Sequence, residues 1–140
     1  TEFEWDLFVL AGERQKADNS IPSHRLGNIN GDLFSSPDGL AFDPDGRLWI
    51  LTDADEQAPY TADIGCNQML CADPVSREIR RFLVGPRGAE ITGITWTPDA
   101  RAMWVNVQHP GISYPASDGK TRPRSTTVLI TREDGGVIGS

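Results

Sequence analysis

The sequence is short of most features that would place it in a large, easily named class. It contains no apolar run near the ~20 residues of a membrane-spanning helix, so no membrane partner is expected. It lacks a basic excess: 13 Lys+Arg against 20 Asp+Glu leave a formal charge of −7. The scattered basic residues form no face that could neutralise a phosphate backbone, so no nucleic acid is expected either. Cysteine is scarce. Cys66 and Cys71 fit no zinc spacing. Both fall in one predicted strand, where five steps span roughly 16 Å and turn the side chains to opposite faces, too far for a disulfide. Two free thiols are expected. No window carries a 3.6-residue apolar stripe, so helices are not expected. The chain opens on Thr1-Glu2 with no initiator Met, basic n-region or apolar h-region, which points to a longer parent.

What is present is a period of two. Phe3, Trp5, Leu7 and Val9 alternate along the first ten residues. Further short runs cover 39–43, 47–53, 67–72, 78–84, 90–97, 102–107 and 125–132. Pro44-Asp45-Gly46 and Pro98-Asp99-Ala100 supply a preset φ and residues that tolerate a tight turn, so the strands flanking each should be antiparallel neighbours. The stretches 12–32 and 110–124 carry no pattern and are expected to be long loops.

An internal repeat organises these runs. Asp38-Gly39-Leu40-Ala41-Phe42-Asp43-Pro44-Asp45-Gly46-Arg47-Leu48-Trp49-Ile50 lies over the segment from Thr92 to Val105 with one insertion, Gly39 and Gly93 being 54 residues apart. Two copies of one hairpin predict an all-β partial β-propeller of about two blades. A β-sandwich with two similar hairpins is the competing architecture. Counting strands gives a complete four-stranded first blade over 33–86 and a second over 88–134 that is one strand short. Residues 3–10 are left as an orphan strand of the preceding blade. The missing strand is expected upstream in the parent, and the cut faces are expected to make the isolated segment self-associate.

Several motifs then carry a family likeness. Ser36 to Asp43, Gly46 to Asp53, Asn67 to Leu70, Arg81 to Pro86, Glu90-Ile91-Thr92-Gly93 and Asn106 to Gly111 resemble the PhoX family of secreted alkaline phosphatases. The resemblance implies the C-terminal part of a six-bladed propeller that hydrolyses phosphoesters with calcium and iron in a central pocket. It also implies twin-Arg export of the parent to a periplasmic or secreted location. The family often has Cys where this chain has Ala89, and Asn or a small residue at Cys66 and Cys71, so iron ligation is not assigned to these positions.

Glu90 opens an inner strand between Gly88 and Gly93, which would bring its carboxylate to the channel mouth as a hard-oxygen ligand for calcium. A solvated strand-end charge is the competing reading. Asp38 holds a comparable place in the first copy, one that lactonase-like propellers use for a metal ligand, but an Asp before Gly is also a common turn residue. Asp53, ending a strand, is a third metal candidate. His109 ends a strand before Pro110-Gly111 and could meet phosphate or orient a ligand. Arg87 offers a planar fork for two phosphate oxygens, against the alternative of an exposed loop arginine. His24 has no companion, and no Ser-His-Asp or Cys-His set is present. A metal-dependent phosphatase is therefore expected, with the isolated segment inactive. A lactonase-like hydrolase and a non-catalytic interaction module are the alternatives.

Overall fold

A computed structural model of the chain describes residues 2–110, 114, 116 and 118–140. It is all-β, with two sheets and little helix. Strands β1 (Asn30–Gly31), β2 (Pro37–Phe42), β3 (Leu48–Thr52), β4 (Gln68–Ala72) and β5 (Glu78–Val84) make the first sheet, in the order β1-β5-β4-β3-β2. Strands β6 (Glu90–Trp96), β7 (Ala102–Gln108) and β8 (Thr126–Thr131) make the second. The seven strands expected from Gly39 onward all form, and both predicted hairpins are antiparallel. Each sheet is a propeller blade, and the two do not close a ring.

The repeat is visible as a shared irregularity. The β2–β3 ladder slips between Pro37 and Gly39, and the β6–β7 ladder slips between Thr92 and Ile94. At the second slip Gly93 adopts φ +56°, and a Cβ there would lie 2.5 Å from the Asn106 amide nitrogen, so only glycine fits without displacing that side chain.

β3 is buried along its whole length, and its alternation splits the core in two. Trp49 and Leu51 face the second sheet and pack with Met69, Ile91, Met103 and Val105. Leu48 and Ile50 face the opposite way, onto Phe34, Ile29, Leu70 and Ile79. Trp49 is the hub of the first cluster, edge-on to Phe82 at 4.9 Å and tilted against Trp96 at 6.1 Å. Its indole Nε1 donates to the buried Asp43 Oδ2 at 2.8 Å. Asp43 also accepts from Arg47 Nε at 2.7 Å and from the backbone N–H groups of Asp45 and Arg47. Burial alone would raise the Asp43 pKa, but these donors outweigh it and hold the carboxyl below the usual aspartate value. Arg47 reaches on to the carbonyl oxygens of Ile138 and Gly139, and Arg101 in the second copy reaches that of Gly135.

Three expectations are corrected. Residues 3–10 alternate but form no strand. Arg77 holds them instead, donating to the carbonyls of Leu7 and Phe8 and pairing with Asp6 at 2.8 Å, with its guanidinium 5.7 Å from the Phe8 ring centre. Phe8 and Val9 pack on the second core cluster, so this segment covers a face rather than extending an edge. Stretch 12–32 is not pure loop: it contains a 3-10 turn at Ser23–Arg25 and β1, which pairs in parallel with β5. A one-turn helix, α1 (Thr61–Ile64), forms where no helical period marks the sequence. Cys66 lies just before β4 and Cys71 within it, and both thiols are free. Of loop 110–124, residues 111–113, 115 and 117 lie outside the described residues.

Candidate functional site

The loop after β3 and the facing ends of β6 and β7 enclose a cavity of about 440 Å3, lined by Asp53, Asp55, Asn67, Glu90, Gln108 and His109 among others. Three of the five sequence-predicted residues, Glu90, Asp53 and His109, meet here. Asp38 stands at the bulge of β2, near enough for its charge to act on Glu90. Burial pushes the Glu90 pKa up. The negative charges of Asp53 and Asp38 push it the same way, while His109 opposes them. A carboxylate raised in this way by burial and like charges marks a candidate functional position.

Glu90 is also oriented. It pairs in register with Gln108, whose Nε2 donates to Glu90 Oε2 at 2.7 Å. Ser36, just before β2, and His109, just after β7, both hold positive φ, at +49° and +50°, and His109 lines the cavity. Backbone held in this sparsely populated region turns the chain sharply where β2 begins and β7 ends, and such strain gathers at functional sites. The Ser36 carbonyl accepts from Asp53 N at 3.0 Å, tying the β2 entry to the β3 exit.

Sequence reasoning misses Asn67 as a site residue, although it lies in a recognisable motif. It is 4% exposed, and its side chain reaches the backbone beside Asp53. Nothing in the local sequence signals this, because the partners lie 13 and 15 residues away.

Arg87 is not on the Glu90 cavity. Its Nε donates to Glu56, the hydrogen bond and then the negative charge of that carboxylate raise the arginine pKa, and the side chain is three-quarters exposed. The pair borders a neighbouring hollow lined by Gln57, Ala58 and Cys66. Glu56 lines both hollows, so it stands between Arg87 and the carboxylates. Among the described residues, no three His, Cys, Asp or Glu side chains stand together as a ready-made metal cage. Asp38, Asp53 and Glu90 approach one another from two blades without closing around a common point.

No curated protein sequence matches the chain. Among solved structures it is similar to Pseudomonas fluorescens PhoX in complex with vanadate, a transition state analogue, with 48% identity and a TM-score of 0.83. The match covers 96% of this chain and 24% of that one, so the chain spans about a quarter of the length of its solved relative. The family model for alkaline phosphatase PhoX matches residues 1–111. With most of its length under that model and nearly half its residues identical to a solved member, the chain belongs to the alkaline phosphatase PhoX family.

Proposed function

We propose that the chain is a C-terminal blade pair of a metal-dependent phosphatase, and that it contributes Glu90, Asp53 and Asp38 to a cation site in the central pocket of a six-bladed propeller. The observation that carries this reading is that Asp53 and Glu90 line one cavity, with the charge of Asp38 reaching Glu90 from β2, although among the described residues these acids form no three-ligand cluster by themselves. Hard oxygen donors of this kind suit calcium. The rest of the ligands, and those for iron, would come from the remainder of the parent. When bound, such cations stabilise charge on a phosphoryl group and activate an oxygen nucleophile.

The residues of this chain then have separable roles. Gln108 fixes the rotamer of Glu90, and His109, at the strained end of β7, faces the same cavity as a phosphate contact. Arg87 would reach phosphate by leaving Glu56, exchanging one carboxylate partner for a bidentate phosphate. The substrate is a phosphoester, the parent acts in the periplasm or outside the cell, and the isolated segment is inactive because it holds only part of the pocket.

The test uses the full-length parent with p-nitrophenyl phosphate across a calcium titration. Glu90→Gln removes one negative charge while keeping size, and should lower activity at limiting calcium with partial recovery at high calcium. Glu78→Gln, on β5 and paired with Arg80, should leave the titration unchanged. Identical curves for the two variants would overturn the assignment.

A further inference from the structure

Asn67 brackets Asp53. Its Oδ1 accepts from the backbone N–H of Ala54, on one side of Asp53, and from Thr52 Oγ1 at 3.2 Å, on the other. Its Nδ2 returns a bond to the Ala54 carbonyl at 3.2 Å. The Thr52 hydroxyl accepts from Gln68 N at 2.9 Å, locking the β3 exit to the β4 entry. The Asn67 main chain adds a second tie, because its carbonyl accepts from Gly85 N at 2.8 Å, at the head of the short loop that delivers Glu90. Gly85 is closely packed there, since a Cβ would lie 2.7 Å from Ile91 Cδ1 and 3.1 Å from the Asn67 carbonyl oxygen. One buried residue therefore bonds the backbone just after one carboxylate, the Thr52 hydroxyl just before it and the root of the segment carrying the other.

We propose that Asn67 is a positioning residue that sets the separation of the Asp53 and Glu90 carboxylates, and through it the affinity of the pocket for a hard divalent cation. The inference rests on the proposed cation site but concerns a residue that touches no cation. A side chain lying entirely within backbone and hydroxyl bonds adds no charge to the cavity. Its effect on a cation comes from geometry, and calcium tolerates a range of distances but still depends on how many oxygens can reach it together. Residues that orient ligands without touching the metal commonly alter affinity by about 10–100-fold.

The experiment titrates calcium alone into the metal-stripped full-length parent by calorimetry. The relevant step is the one that Glu90→Gln weakens. Asn67→Ala should weaken that step by about 10-fold or more. Gln68→Ala is the control for general destabilisation: its side chain is equally buried but bonds Leu33 and Arg81, away from the cavity. That variant should bind calcium within about twofold of the unaltered protein. If Asn67→Ala does not fold, Thr52→Val removes one of the same bonds at similar volume and should weaken the step in the same direction by a smaller factor. Asn67→Ala or Thr52→Val matching Gln68→Ala would overturn the positioning role while leaving the site intact. An unaltered parent with no calcium step sensitive to Glu90→Gln would overturn the cation site itself, and this inference with it.

Discussion

Gln108 and Glu90 face each other across the β6–β7 ladder, joined by a 2.7 Å hydrogen bond from the amide to the carboxylate. The pair ties the desolvated acid of the site to the strand that ends in His109. Gln108→Leu keeps the bulk and removes the donor. In the full-length parent it should raise the calcium needed for half-maximal activity by about 10-fold without lowering the thermal midpoint. An unchanged calcium requirement would mean that the bond orients nothing of consequence.

Asp43 should govern stability rather than chemistry. Asp43→Ala leaves the Trp49 indole N–H and the Arg47 guanidinium without their buried partner, and should cost about 3–5 kcal/mol in denaturant unfolding of the parent. The pH dependence has a definite sign. The Asp43 pKa is lowered in the folded state, so its contribution is complete above the ordinary aspartate value of 3.8 and is lost as pH falls through the folded value. The stability gap between the unaltered protein and Asp43→Asn should therefore be wide at about pH 7 and narrow below pH 3.8. A gap constant with pH would rule this out.

The isolated segment should self-associate. Leu40 and Phe42, on the free-edge strand β2, are 62% and 65% exposed and lie on the face of Ile50 and Leu48. Apolar groups on an open strand edge invite pairing with a second copy. Sedimentation of the 140-residue segment should show concentration-dependent dimers, reduced by replacing both residues with Lys. A strict monomer at high concentration would refute this.

Burial pushes the Cys71 thiol up to about 11 from 9.0. Its thiolate fraction at about pH 8 falls by about 100-fold relative to an unshifted thiol, so iodoacetamide should modify it slowly in the folded protein and rapidly after unfolding. Comparable rates in the two states would show that Cys71 is not shielded.

The strands from β2 onward are legible in the sequence because turn chemistry and alternation agree there, and the repeated hairpin makes the blades recognisable from residue order alone. Alternation misleads at Phe3 to Leu10 because it reports a two-faced surface, not a pairing partner, and the partner at hand is the Arg77 side chain rather than a strand edge. β1 is too short to carry a period. Glu90, Asp53 and His109 can be named singly from strand-end positions, but not as one cavity, since their meeting depends on how two blades pack. The Glu56 that holds Arg87 lies 31 residues away, and Asn67 works through backbone atoms that no side-chain pattern encodes.

The reach of Arg47 to the carbonyls of Ile138 and Gly139 has a consequence in time. Ile138 belongs to the cluster around Trp49, and Gly139 lies so close to the indole that a Cβ would come within 2.9 Å of it. During synthesis the hairpin at Trp49 leaves the ribosome about ninety residues before the segment that seals it. The first blade must therefore wait, with its central tryptophan partly uncovered, until the second blade has been made and has folded back. Contacts so distant in sequence form late. The interval between them is when this chain is most exposed to misassembly, and when a chaperone would find Trp49 within reach.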